Sequence, residues 1–126
     1  MTIAEVSKKY GLTPDTLRYY EKIGLLTNVP RTIKGIRSYD EVTCRRIEFI
    51  KCMRNAGVEI EILIQYIGLF EKGKGTVIDR KILLEQQRDK LLEKQKNIAE
   101  TLKRLDYKIE LYNEIISGKR KDFTED

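Results

Sequence analysis

Residues 11–26 read Gly11-Leu12-Thr13-Pro14-Asp15-Thr16-Leu17-Arg18-Tyr19-Tyr20-Glu21-Lys22-Ile23-Gly24-Leu25-Leu26. Thr13 ahead of Pro14 is an N-cap followed by a first-turn proline, a pair that opens a helix. Leu17, Tyr20 and Ile23 recur at the spacing of one helical face, and Gly24 ends the segment near Lys22. Upstream, residues 3–10 predict a first helix, with Ile3, Ala4, Val6 and Tyr10 as its apolar stripe and Gly11 as its stop. Two helices separated by three or four residues make a helix-turn-helix. Its second helix carries Arg18, Tyr19 and Tyr20 in a row, side chains suited to phosphate and base edges. The chain therefore poses a question about DNA.

Charge supports that direction. Across 126 residues there are 25 basic and 20 acidic side chains, a net charge of +5. The excess is uneven: residues 1–46 hold nine Lys/Arg against five acids, whereas residues 76–126 hold twelve against eleven. The footprint for an anionic partner lies at the N-terminal end. Only Cys44 and Cys52 are cysteines, so no disulfide framework exists and a reducing, cytoplasmic setting is expected. Met1 leads directly into an amphipathic helix, without an apolar leader. The most apolar run, Ile62 to Phe70, is broken by Gln65 and falls short of the ~20 residues a bilayer span needs. Histidine is absent, which removes the commonest general base and metal ligand. With no glycine-rich phosphate loop and no Cys-x-x-Cys pair, neither enzymatic activity nor a cofactor or metal is expected.

Residues 27–39, with Pro30, Gly35 and alternation around Ile33, Ile36 and Arg37-Ser38-Tyr39, predict a short hairpin or wing. Asp40 caps a third helix, 41–56, closed by Gly57. Its apolar face projects as Val42, Phe49, Met53 and Ala56, with Cys52 at the margin and Cys44 on the polar side. A fourth helix spans about 59–71, before a Gly73-Lys74-Gly75 break. From Val77 to Ser117 the chain lacks glycine and proline. Leu84, Leu91, Ile98, Leu105 and Tyr112 repeat every seven residues, and Arg88, Gln95, Leu102, Ile109 and Ile116 follow each by four. That is a coiled-coil seam in which Arg88 and Gln95 are polar and able to specify register. Such a helix is ~60 Å long, more than the N-terminal part can cover, so homodimerisation by parallel or antiparallel pairing is expected. The expected layout is mainly α: a winged helix-turn-helix DNA-binding domain over 1–72, a coiled-coil dimerisation helix over 76–118, and a disordered tail over 119–126.

The runs Leu17-Arg18-Tyr19-Tyr20-Glu21-Lys22-Ile23-Gly24-Leu25-Leu26, Gly35-Ile36-Arg37-Ser38-Tyr39 and Ile47 to Gly57 resemble the MerR family of bacterial transcription regulators. The resemblance covers residues 2 to about 72, and the long helix behind follows the family's layout. It implies a winged helix-turn-helix dimer joined by an antiparallel coiled coil. It also implies a near-palindromic operator in double-stranded promoter DNA, distorted so that RNA polymerase can use both elements of an overlong spacer. By that likeness the second helix enters the major groove, with Arg37 and Tyr39 of the wing at its flank. The candidate DNA-binding residues are Thr13, Thr16, Arg18, Tyr19, Tyr20, Lys34, Arg37, Tyr39 and Arg54. Arg18 either reads a guanine edge or forks onto phosphate. Neighbours on a helix point ~100° apart, so one of Tyr19 and Tyr20 braces the core. Lys34 and Arg37 suit backbone contact, and Arg54 suits a phosphate. The candidate dimer seam is Leu84, Leu91, Ile98, Leu102, Leu105, Ile109, Tyr112 and Ile116.

Metal-responsive members carry cysteines around the dimer helix, and drug-responsive members a large C-terminal ligand domain. Here no cysteine or histidine follows residue 52 and the sequence stops just after the coil, so neither mode is expected. Cys52, within Phe49-Ile50-Lys51-Cys52-Met53-Arg54-Asn55-Ala56-Gly57, resembles the lone cysteine of a branch that answers reactive aldehydes and thiol stress. Lys51 and Arg54 favour its thiolate, while Glu48 and burial oppose it. Cys44 lies eight residues away, about 12 Å along the helix axis, too far for an intrahelical disulfide. Two alternatives compete with the regulator: a coiled-coil adaptor that binds protein, and an architectural DNA-binding factor of the excisionase type. The basic surplus counts against the first and the long dimer helix against the second.

Overall fold

The computed structural model describes residues 1–121; the remainder of the tail expected over 119–126 lies outside the described residues. Five helices follow in order: α1 (Ile3–Tyr10), α2 (Pro14–Lys22), α3 (Glu41–Asn55), α4 (Ile60–Lys72) and α5 (Val77–Ile116). Between α2 and α3 the chain makes a hairpin, the wing, whose arms meet in an antiparallel bridge between Arg31 and Arg37. Two compact units result, one from Met1 to Glu85 and one from Gln86 onward.

Local chemistry sets the helix ends. Thr2 and Glu5 form a reciprocal capping box on α1. The Thr13 hydroxyl accepts from the Thr16 amide at 3.1 Å, and Asp40 accepts from the Thr43 amide at 2.8 Å. The Thr43 hydroxyl, and then that amide bond, hold the Asp40 carboxyl below the usual aspartate range. Gly24 and Gly57 both sit at φ +89°, where other residues are strained. At the first, the Leu25 amide donates to Tyr20 O at 2.9 Å; at the second, the Val58 amide donates to Met53 O at 2.9 Å. Each is a Schellman closure that drops an apolar residue, Leu25 or Val58, into the core just past the turn. The same closure ends α5: Lys119 N–H donates to Glu114 O at 2.9 Å, so the first residue of the expected tail belongs to the cap.

The first unit is built around Val6, Leu17, Leu25, Leu26, Tyr39, Ile47 and Ile50, all essentially sealed from solvent. α1 packs on α2 and on α3. Tyr10, at the end of α1, donates its hydroxyl to Glu48 of α3 at 3.0 Å. Burial, and then that carboxylate, push the Tyr10 phenol up. α3 corrects the sequence reading of its face. The buried row is Thr43, Cys44, Ile47 and Ile50, one step round from Val42, Phe49, Met53 and Ala56. Cys44 is therefore buried and Cys52 exposed. The expected row does a different job: Val42 and Phe49 line a groove of about 360 Å³ with Tyr66, Ile67 and Phe70 of α4. There the Phe49 and Tyr66 rings lie 5.5 Å apart.

The first turns of α5 belong to this unit. Thr76 Oγ1 lies 2.7 Å from Gly73 O and 2.8 Å from Leu69 O, and Arg80 Nε donates to it at 3.0 Å. Arg46 and Arg80 lie 5.3 and 5.1 Å from the Phe70 ring, two cation–π contacts tying α3 and α5 to α4. No described helix is long and apolar enough to cross a membrane.

Candidate nucleic-acid interface

α2 is amphipathic in a way that separates support from display. Leu17 and Tyr20 turn inward, Tyr20 being 8% exposed, while Tyr19 is 51% exposed. The two rings sit 6.4 Å apart and tilted by 45°. Thr13 and Thr16 share a hydroxyl–hydroxyl bond of 2.8 Å at the helix N-terminus, where backbone amides and the helix dipole favour an anion. Arg18 pairs with Asp15 at 3.0 Å, but Asp15 is almost fully exposed. A surface pair of this kind contributes ~0–1 kcal/mol, so a phosphate or a guanine edge can replace the partner.

The wing leaves the body through a network at its base. Arg46 Nη1 donates to Thr27 Oγ1 at 2.7 Å and pairs with Glu71 at 3.2 Å, and the Thr27 hydroxyl also donates to Glu71. Asn28 turns the chain with φ 56°. Across the arms, Thr32 N–H donates to Ile36 O at 2.7 Å and Ser38 N–H to Pro30 O at 2.8 Å. The tip carries Ile33, Lys34 and Ile36, all exposed.

Two candidate wing residues turn toward the body of the chain. Tyr39 is 2% exposed and packs in the core. Its backbone pairs with Met1 in both directions, at 2.8 Å each. Arg37 is only 28% exposed and turns inward, with Nε donating to Glu21 Oε1 at 2.6 Å. The Glu21 carboxylate raises the Arg37 guanidinium further above its usual range. Residues two apart on a strand share a face, and here Arg37 and Tyr39 share the inward one. Glu21 also takes Arg31, at 2.9 Å. Glu21 falls within the family-like run, but neither it nor Arg31 is among the candidate site residues.

Arg18, Tyr19, Thr13 and Thr16 thus gather on α2, and Lys34 stands on the wing tip. Arg54 stays on the end of α3, where its Nη1 donates to Val58 O at 2.9 Å and helps close that helix. Cys52 is exposed on α3, two residues before Arg54. On α5, among the candidate seam residues, Ile98, Leu102, Leu105 and Ile109 are each about half exposed, Ile116 more so, and Leu91 is half-buried.

Residues 1–67 match the family model described as MerR HTH family regulatory protein. The chain belongs to the MerR family. The HTH-type transcriptional regulator AdhR of Bacillus subtilis (strain 168) is 56% identical over 93 residues, which is 74% of this chain and 66% of that protein. The chain thus spans just under two thirds of that relative's length. Among solved structures, a MerR family transcriptional regulator from Listeria monocytogenes superposes with a TM-score of 0.90 at 40% identity, covering 94% of this chain and 91% of the other. HiNmlR, described as a MerR family regulator lacking the sensor domain and bound to promoter DNA, superposes with a TM-score of 0.85 at 27% identity, covering 92% of each. The fold is that of MerR regulators, a helix-turn-helix with a long helix behind it, and transcription regulation is the family's work.

Proposed function

We propose that this chain is a homodimeric activator that binds a pseudo-palindromic operator in promoter DNA and distorts an overlong spacer for RNA polymerase. In this reading α2 enters the major groove, Arg18 and Tyr19 face the DNA, and Lys34 meets backbone from the wing. Thr13 and Thr16 bind a phosphate at the N-terminus of α2. Tyr20 and Tyr39 hold these groups in place from beneath. The observation that carries the reading is the division of α2, with Leu17 and Tyr20 buried and Arg18 and Tyr19 displayed. The DNA-bound state of HiNmlR supports it by likeness. Pairing through α5 is supported by the exposed apolar row, and its antiparallel direction by the family likeness.

Selection of the full chain against a random duplex library tests this. The expected product is a two-fold symmetric motif whose half-sites are about one helical turn apart. Recovery of duplexes with no shared or symmetric sequence overturns it. On the selected duplex, Arg18→Ala is expected to lose ~1–3 kcal/mol of binding if Arg18 reads a base. A binding curve that overlays the unmodified protein removes Arg18 from the contact set.

The inducer side of the proposal is Cys52, as the site where reactive aldehydes or thiol oxidation switch the regulator. Its exposure on α3 leaves the thiol within reach of a reagent, while Cys44 is packed away. In a reporter strain, Cys52→Ser is expected to lose induction by formaldehyde or diamide and Cys44→Ser to keep it. Full induction in the Cys52→Ser strain excludes this role.

A further inference from the structure

Glu21 stands between two arginines that oppose each other across the wing. Arg31 and Arg37 form the antiparallel bridge of the hairpin, and like charges directly opposite in such a pair repel. From the last turn of α2, Glu21 places one carboxylate oxygen on each: Oε1 on Arg37 Nε at 2.6 Å and Oε2 on Arg31 Nη2 at 2.9 Å. The carboxylate is 22% exposed, and Arg37 and Arg31 are 28% and 42% exposed, so the cluster is partly shielded. Few backbone bonds hold the arms together, and an isolated hairpin of this size is marginal in water. Glu21 is thus both the counter-ion that lets two arginines face each other and a side-chain tie from the wing to α2.

We propose that Glu21 is a positioning residue for sequence reading: it fixes the wing against α2 and withholds Arg31 and Arg37 from indiscriminate phosphate binding. The inference rests on the DNA-binding reading above and deepens it. Phosphate contacts set register and base contacts set sequence. A wing tied to the recognition helix meets the backbone only where α2 has found its bases. A wing released from Glu21 presents two unpaired cations on a loose hairpin, and these bind any duplex. Glu21 therefore raises specificity by weakening the non-specific term.

The test uses the full chain, its Glu21→Gln variant, and Glu21→Gln combined with Arg31→Gln. Each is titrated with the selected palindrome and with a scrambled duplex of equal length, over about 50–200 mM salt. Glu21→Gln is expected to bind the scrambled duplex ~3–10-fold tighter, with the slope of log K against log salt steeper by ~1–2. The ratio of palindrome to scrambled affinity falls by a similar factor. Removing Arg31 as well is expected to return part of the slope. An unchanged slope and ratio overturn the proposal. So does a proportional loss of both affinities, which marks support of the fold alone. If the unmodified chain itself fails to distinguish the duplexes, the DNA-reading proposal falls and takes this inference with it.

Discussion

Leu102→Asp combined with Ile109→Asp on α5 is expected to leave the chain monomeric and to weaken binding to the selected palindrome by about 100-fold or more. Both residues are more than half exposed, at 54% and 57%, within a row that continues through Ile98, Leu105, Tyr112 and Ile116. A stripe of that kind on a 40-residue helix supports the proposed pairing of α5 with a second copy. Paired helices would bury the new carboxylates, a cost of several kcal/mol per buried charge. The helix itself should persist, because Asp is poorer than Leu in a helix interior by only ~0.5 kcal/mol. Lys96→Asp with Lys103→Asp is the control: it also adds two carboxylates, with a larger change of net charge, placed off the seam. Light scattering reads the oligomer and titration reads the affinity. A double-Asp seam variant that stays dimeric overturns the α5 interface. A monomer that binds the palindrome undiminished overturns the two-headed mode of reading.

The parts of this fold legible in the sequence are those decided within a few residues. Thr13-Pro14, Asp40, Gly24 and Gly57 act on their own turns of chain, and the structure uses each of them as a helix boundary. The seven-residue repeat of α5 was equally plain, because a period repeated over 40 residues averages out single polar intruders. α3 was harder, since it carries two apolar rows. Thr43, Cys44, Ile47 and Ile50 face α1 and the core, while Val42 and Phe49 face α4 across an open groove. Periodicity detects both rows and cannot say which is deeper. The partner element decides, and that is why Cys44 and Cys52 exchanged places. The wing was harder still. Glu21 meets Arg31 and Arg37 ten and sixteen residues away, pairings that exist only once the hairpin has folded back on α2. A motif that sets Arg37 beside Tyr39 does not say whether their shared face looks out or in.

That ambiguity makes Tyr39 the sharpest test of core against contact. Tyr39→Ala is expected to cost ~3–5 kcal/mol of stability, as for other buried aromatics, out of a typical domain total of ~5–15 kcal/mol. A DNA contact would instead lose affinity with stability unchanged. Chemical denaturation of the two proteins separates these outcomes, and equal midpoints would return Tyr39 to the surface. Because Tyr39→Ala can fail to fold, Tyr39→Phe carries the second arm. Burial pushes the Tyr39 phenol up, with Arg37 beside it pulling the other way. A raised phenol means that the fold prefers the neutral ring. Its contribution is complete below the ordinary value of about 10 and is lost as pH rises through the folded value. Tyr10, raised by burial and by the Glu48 carboxylate, acts in the same direction. Tyr39→Phe is therefore expected to fold at neutral pH and to lose less stability than the unmodified chain above about pH 10, while Tyr10 maintains a residual alkaline loss. Identical alkaline limbs in the two proteins would show that the Tyr39 phenol is not held neutral by the core.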